Sequence, residues 1–387
     1  MAVTIPNFLG ERNVDDEKRL PINAMSSSMN IDLDDEGTVT MRGGFSLAQL
    51  FTALSASFIT ADEQRFFVVD NGDLKLINDD FSTLILETGI GNSYIKWLEV
   101  ADYIFMSSGH IITPKLEVVD WRIPIPEQPK VTVISGTLPE GQYQVTSIYQ
   151  DVTGREGAAS PIVVVDVEEG SALAVEPSHI ECYASYVYVT DTNGAVFYLF
   201  GQSLAGAVMI SDTSLLTYPL DSEQLEAVNL PDPVGSIAFY ESSMWAVQFI
   251  EGVSYLWRSK PFWWQLFDIH EDYLAIPGKV TALQGTLQGL FIGTDDEMYV
   301  FTPEGGLVRL AEYGVVGGKP ISVTDDGRYF VWTKQGVCTL FPFQNVTEEK
   351  VSLPSGCICS TSIIKKNGYQ QFMVLSDGSG TPFNQLI

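Results

Sequence analysis

The chain has 387 residues, 45% of them hydrophobic and only 18% charged, a composition that excludes a disordered polymer and a coiled coil. Twenty-one Lys and Arg against 49 Asp and Glu leave a net charge of −28, which argues against binding the phosphate backbone of a nucleic acid, since that needs cations to displace counterions. No apolar run reaches the ~18 residues of a membrane helix, and Met-Ala-Val-Thr-Ile-Pro lacks the features of a signal peptide, so a soluble protein made in the cytoplasm, with no membrane insertion, is expected.

Residues 1–45 read as an extended arm. Pro6 and Pro21 break helices, the stretch between them is polar, and no helical period emerges. The arm ends in two short alternating segments around Asp32-Leu33-Asp34-Asp35-Glu36-Gly37, the pattern of a hairpin leading into a body. That acidic turn imitates the start of a calcium loop, but its twelfth position is Gly43 rather than a bidentate Glu, so it reads as a solvated turn.

Residues 46–125 begin a series of β-branched and aromatic runs broken by Gly, Asp and Asn. Arg65 to Ile77, Tyr103 to Ile112, Gly289 to Phe301 and Arg328 to Leu340 share one form, an apolar run, a polar turn and a second run. Each reads as the inner hairpin of a four-stranded sheet. Ser243 to Val247 answered by Val253 to Trp257 is a looser copy, and Gln371 to Gly378 is expected to begin another. Recurrence at roughly 40 to 50 residues is the period of propeller blades. The fold class expected is therefore all-β, a β-propeller of about six blades; an irregular sandwich with coincidental spacing is the plainer alternative.

One long interval, 126–222, departs from that period. Gly141 to Tyr149 alternates like a half-buried strand, Pro161 to Val167 reads as another, and Glu181 to Val189 pairs with Ala195 to Phe200 across an Asn-Gly turn. Short strands with frequent turns predict an inserted β-sandwich of immunoglobulin or fibronectin III type. Pro231, Asp232 and Pro233 mark the return to the propeller, which fills 223–387.

Motifs for chemistry are sparse. His110, His179 and His270 are isolated, and Cys357-Ile358-Cys359 lacks further ligands for zinc, so no metal, cofactor or catalytic residue is expected. Gly89-Ile90-Gly91 and Gly314 to Lys319 miss dinucleotide and phosphate-loop spacing. The four cysteines suggest free thiols rather than a disulfide framework. Because propellers also house glycosidases, Trp263 and Trp264 beside Asp268 and Glu271 form an alternative carbohydrate site, with the aromatics as stacking platforms and the carboxylates as acid and base. The plainer reading of the aromatics is blade core or a subunit contact.

The order of these segments resembles the β-propeller tail proteins of tailed bacteriophages, the nozzle or tail tubular protein B of short-tailed phages and related tail-hub proteins. The residues that carry the resemblance are Leu20-Pro21-Ile22-Asn23-Ala24 with Asn30, the acidic-glycine turn, Arg42-Gly43-Gly44-Phe45, Gly141 to Val145, Trp257 to Pro261, and Val280 to Gln284 leading into Gly289 to Thr294. It spans most of the chain but rests on order more than on an invariant motif, and the chain is shorter than many nozzle proteins.

What the resemblance implies is a structural, non-enzymatic part of the virion tail, assembled in the host bacterial cytoplasm into a ring homo-oligomer, with a hexamer as one option. Other tail, adaptor or fibre proteins are its implied neighbours, and genome DNA passes through the bore without sequence-specific binding. The acidic balance suits such a passage. Arg12, Arg19, Leu20, Pro21 and Asn23 of the arm, and Arg155 and Glu156 as exposed loop tips of the insert, are the expected subunit or partner contacts. A carbohydrate-binding or carbohydrate-cleaving propeller at the virion tip is the alternative function.

Overall fold

The computed structural model describes residues 11–14, 20, 21, 23–27, 31–33, 39–41, 49–91, 93–203, 206–214, 216–230, 234–348, 350–366, 369–380, 382 and 383. Ahead of the body, β1 (Ile31–Leu33) and β2 (Val39–Met41) pair antiparallel, Ile31 opposite Met41, as the alternating segments predict. The turn between them, Arg42 to Phe45, and Pro231 to Pro233 lie outside the described residues.

The first sheet runs β3 (Leu54–Ile59), β4 (Phe66–Asp70), β5 (Asp73–Ile77), β6 (Thr83–Glu87) in that order. Its central turn uses Asn71 at φ 55° and Gly72 at φ 82°, the pair of positive values that matches a two-residue hairpin to strand twist. Buried Asp70 fixes the incoming chain: its carboxylate accepts from the Thr52 and Ala53 N–H groups at 2.8 and 2.7 Å and pairs with Lys75 at 2.8 Å. The second sheet repeats the up-and-down order with β7 (Trp97–Val100), β8 (Tyr103–Met106), β9 (His110–Ile112) and β10 (Val118–Asp120).

The chain then builds two facing sheets from β11 (Lys130–Leu138), β12 (Gly141–Gln150), β13 (Val163–Val167), β14 (Ser171–Glu176), β15 (Ala184–Thr190), β16 (Phe197–Ser203) and β17 (Val208–Ile210). One has the order β11-β14-β17, the other β13-β12-β15-β16. Leu138, Leu173, Val175 and Ile210 of the first meet Tyr143, Val145, Val187 and Val189 of the second in one buried core, a sandwich with its own interior. A single turn-and-a-half of helix, α1 (Ser222–Glu226), follows, capped by the Asp221 carboxylate on the Glu223 N–H.

The third sheet is β18 (Ile237–Tyr240), β19 (Ser243–Ile250) and β20 (Val253–Lys260), with both β21 (Trp263–Phe267) and β22 (Tyr273–Pro277) pairing on β20. The fourth is β23 (Val280–Thr286), β24 (Gly289–Thr294), β25 (Met298–Phe301) and β26 (Leu307–Ala311). After β27 (Gly317–Lys319), the fifth comprises β28 (Ile321–Val323), β29 (Tyr329–Thr333), β30 (Gly336–Leu340) and β31 (Phe343–Asn345). The last joins β27, parallel, to the hairpin of β32 (Ile358–Lys366) and β33 (Tyr369–Ser376). Gln371 to Gly378 therefore closes a hairpin instead of opening one. Its partner, carrying Cys359-Ser360-Thr361-Ser362, is too polar to read as an apolar run.

From β3 onward, each sheet outside the insert packs face to face on the next, which makes the body a β-propeller. Phe67 and Leu74 meet Ile104 and Met106; Phe105 and Trp121 meet Met244, Trp257 and Phe267; Trp245 and Leu256 meet Leu283 and Ile292. Phe291 and Met298 then meet Val331 and Leu340, and Trp332 meets Cys359. Near the axis β18 and β23 approach so closely that a Cβ on Gly285 would sit 1.9 Å from the Phe239 carbonyl oxygen, so only glycine fits. Last and first sheets are linked by Lys365 and Glu63 at 3.4 Å.

Candidate functional site

Sandwich and propeller meet at a cleft of about 610 Å³ lined by Tyr103 and Phe105 of the second sheet, Arg155 and Glu156 of the insert, and Phe262 to Gln265 of the third sheet. Its floor is an aromatic cluster. Trp121, fully buried, donates its indole N–H to the Trp264 carbonyl at 2.8 Å. Phe105 meets Trp121 and Trp264 edge-on at 5.3 and 5.7 Å, and Phe239 meets Trp264 at 6.0 Å. These rings prefer such T-shaped contacts, and they hold the second and third sheets together.

The wall is built by the insert. Arg155 pairs with Asp151 at 2.6 Å and donates to the main-chain oxygens of Asp120 at 2.7 Å and Trp121 at 3.3 Å. Glu156 accepts through its carboxylate from Gln150 at 3.4 Å and Gln224 at 3.3 Å, while its carbonyl accepts from Gln265 Nε2 at 2.8 Å. Arg155 and Glu156 are thus half-buried at the junction, not exposed loop tips as expected, because the loop folds back on the end of β10 and on β21. The guanidinium is spent on one carboxylate and two carbonyls.

The rim is Phe262. Pro261 and Phe262 form the two-residue turn between β20 and β21, and Phe262 stands at φ 64° with 77% of its surface exposed. Proline at the first central position and positive φ at the second are the marks of a type II turn, in which glycine normally takes the second place. A bulky aromatic there is a strained conformation.

The four residues of the alternative carbohydrate site do not converge. Trp263 and Trp264 line the cleft, whereas Asp268 and Glu271 do not. Asp268 is occupied in its own turn, accepting from the His270 and Glu271 N–H groups at 2.9 and 3.2 Å and standing 3.7 Å from Lys260. Burial alone would raise its pKa, but those N–H groups and Lys260 outweigh it and the carboxyl titrates lower than usual, the opposite of what a general acid needs. Glu271 is exposed. Lys260 also pairs with Glu223 at 2.9 Å and Asp272 at 3.3 Å; burial opposes its charge, yet these partners push it up to about 12.

In the arm, Arg12, Leu20, Pro21 and Asn23 are half-buried, and Arg19 lies outside the described residues. A parallel bridge joins Glu11 to Met25, with the Arg12 N–H on the Met25 carbonyl at 2.8 Å. The segment is held to its own chain: Asn13 Nδ2 donates to the Ser352 carbonyl at 3.0 Å, and the Ser352 N–H donates to Asn13 Oδ1 at 2.6 Å.

A second, narrower cavity of about 140 Å³ lies at the propeller axis, lined by Trp97, Ile237, Leu283 and Ile321 of four successive sheets together with Lys96 and Lys319. Lys96 donates to the carbonyls of Gly318 and of Thr281 and lies over the Tyr94 ring at 5.2 Å. Desolvation dominates its titration, and with Lys319 nearby lowers it to about 8. His110 bonds Ser108 at 3.1 Å and His179 bonds Ser185 at 3.3 Å and Ser203 at 3.2 Å; among the described residues no group of three His, Cys, Asp or Glu could hold a metal ion. All four cysteines are unpaired thiols.

Sequence reasoning missed Trp121, Asn13 and Lys96 as organising residues. Their partners are distant in sequence, and only the Pro261-Phe262 pair carried a local signal, the φ that a turn after proline imposes.

No protein-family model matches the chain, and no curated protein does. Among solved structures, it is similar to the extracellular domain assigned to a hybrid two-component system of B. thetaiotaomicron, at 14% identity and a TM-score of 0.31 over 80% of this chain. The chain spans about a third (34%) of that protein. It is also similar to streptogramin B lyase, at 9% identity and a TM-score of 0.25 over 76% of this chain and 94% of the other. Kluyveromyces lactis Hsv2 aligns at 13% identity and a TM-score of 0.26 over 74% of each chain. At these values the likenesses carry no argument about function.

Proposed function

We propose that this chain is a structural component of a bacteriophage tail, a nozzle, tail-hub or baseplate subunit that assembles into an oligomeric ring. The observation that supports the reading best is the first sheet, which follows the arm and exposes Leu54 and Ile59 on β3 and Leu84 and Ile85 on β6, each about half accessible. These are exposed aliphatic side chains on the two edge strands of one sheet, where unpaired backbone groups invite association with another chain. A closed ring needs a heterologous contact of this kind, one face of a subunit on a different face of the next. The whole-chain order of arm, propeller and inserted sandwich agrees with the tail proteins the sequence resembles, and the charge of −28 suits a passage that must not retain DNA.

In this reading the ring sits in the virion tail, other tail, adaptor or fibre proteins contact the arm and the sandwich, and no chemistry is performed. Native mass spectrometry of the full chain, of a form lacking residues 1–20, and of Leu84→Glu/Ile85→Lys tests it. Rings from the full chain and monomers from both variants are expected. A full chain that stays monomeric and ignores tail extract, or normal rings from the truncated form, would sink the proposal.

A further inference from the structure

We propose that the cleft between insert and propeller is a binding site for a neutral saccharide, with Trp263 and Phe262 as the stacking surfaces. The cleft volume of about 610 Å³ lies within the range of small-molecule sites and admits a short oligosaccharide. Tyr103, Phe262 and Trp263 give the cleft its aromatic surface, and an aromatic face covers the C–H side of a sugar ring as it covers any apolar surface.

Charge selects the ligand class. Arg155 is the cation in the lining, and its guanidinium is already held by Asp151, Asp120 and Trp121, so it offers no grip on a phosphate or carboxylate. Glu156 stands beside it, and the molecule carries −28, which repels anions further. Besides the Glu156 carboxylate, the Trp263 indole N–H and the Tyr103 hydroxyl are neutral polar groups of residues in the lining. A hydroxyl-rich, uncharged molecule with an apolar face fits all of these.

The second, independent sign is Phe262. A phenylalanine placed at φ 64° with 77% of its surface in solvent brings strain and loses burial; its N–H donates to the Ser242 carbonyl at 2.9 Å, which fixes the backbone of the turn but asks for no aromatic ring. Such strain persists at functional sites. The test uses the full chain and does not depend on ring formation, so its failure leaves the tail reading standing.

Isothermal titration and saturation-transfer NMR with maltohexaose, cellohexaose and laminarihexaose, and with hexagalacturonate as the acidic counterpart, provide the measurement. Saturable binding of at least one neutral hexasaccharide is expected, at least tenfold tighter than hexagalacturonate. Trp263→Ala should weaken it at least tenfold, and Phe262→Gly, whose turn accepts glycine, severalfold with the fold intact by circular dichroism. Binding of no neutral hexasaccharide, preference for the acidic one, or affinity unchanged in folded Phe262→Gly and Trp263→Ala would overturn the assignment.

Discussion

Asn13 and Ser352, 339 residues apart, exchange two hydrogen bonds, the side-chain amide of one reading both backbone groups of the other. Pairing of this kind imitates one rung of a sheet and ties the arm to the segment between the fifth and sixth sheets. Asn13→Ala removes both bonds. At about 1 kcal/mol net per bond, it should speed hydrogen exchange at the Ser352 amide by one to two orders of magnitude while the β4 and β5 amides keep their protection. Unchanged exchange at Ser352 would show that the arm is held by other contacts.

Arg155 serves as the lock between sandwich and propeller. Replacing it with Met leaves Asp151, whose side chain is only 7% exposed, as a nearly buried charge without its partner, a change that costs about 3 kcal/mol. The sandwich has its own core, so the expected outcome is two separate transitions in calorimetry where the parent shows coupled unfolding, with new proteolytic cleavage near residues 151–157. Arg155→Lys should restore little, since one ammonium cannot reach a carboxylate and two carbonyls with the geometry of a guanidinium.

Lys96 makes stability depend on pH in the alkaline range. Its folded pKa, about 8, lies below the ordinary 10.5. Between those values the unfolded chain binds more protons than the folded one, so this lysine contributes a rise in stability with increasing pH that is complete by about 10.5. Below pH 8 the charged ammonium is carried at a desolvation cost. Denaturant titrations of the parent and Lys96→Met at pH 7, 8, 9 and 10 should show the parent gaining on the variant across the window. A constant difference between them would place the ammonium in water.

The hairpins were legible because their determinants are local. Asn71-Gly72 fixes a two-residue turn, and Tyr143 and Val145 alternate with the less buried Gln142 and Gln144 as a strand facing one core should, but from Val145 to Tyr149 the strand is buried on both faces and the expected alternation ends. Thus the four central hairpins stand where their runs predict, at β4–β5, β8–β9, β24–β25 and β29–β30. The cleft was legible only in part. Trp263 and Trp264 stood out by composition, but their wall comes from Arg155 and Glu156, more than a hundred residues earlier, and loop tips cannot be told from docked loops without the partner surface. Asp268 looked like an acid because it neighbours tryptophans in sequence; on a strand end it turns instead to its own following N–H groups and to Lys260.

Phe262 sets stability against binding. A side chain at positive φ costs about 1–2 kcal/mol through the clash of Cβ with the backbone, and Phe262 at 77% exposure buries too little to offset it. Phe262→Gly removes the clash but gives the unfolded chain more freedom, which returns part of the gain. The net expectation is about 0.5–1 kcal/mol of added stability, a midpoint shift of one to a few degrees for a body of this size. Phe262→Ala keeps the Cβ and should gain nothing, so the difference between the two variants isolates the backbone contribution from the loss of the ring. If glycine and alanine lower the midpoint equally, the ring is stabilising the turn by packing, and the strain argument for the site fails with it.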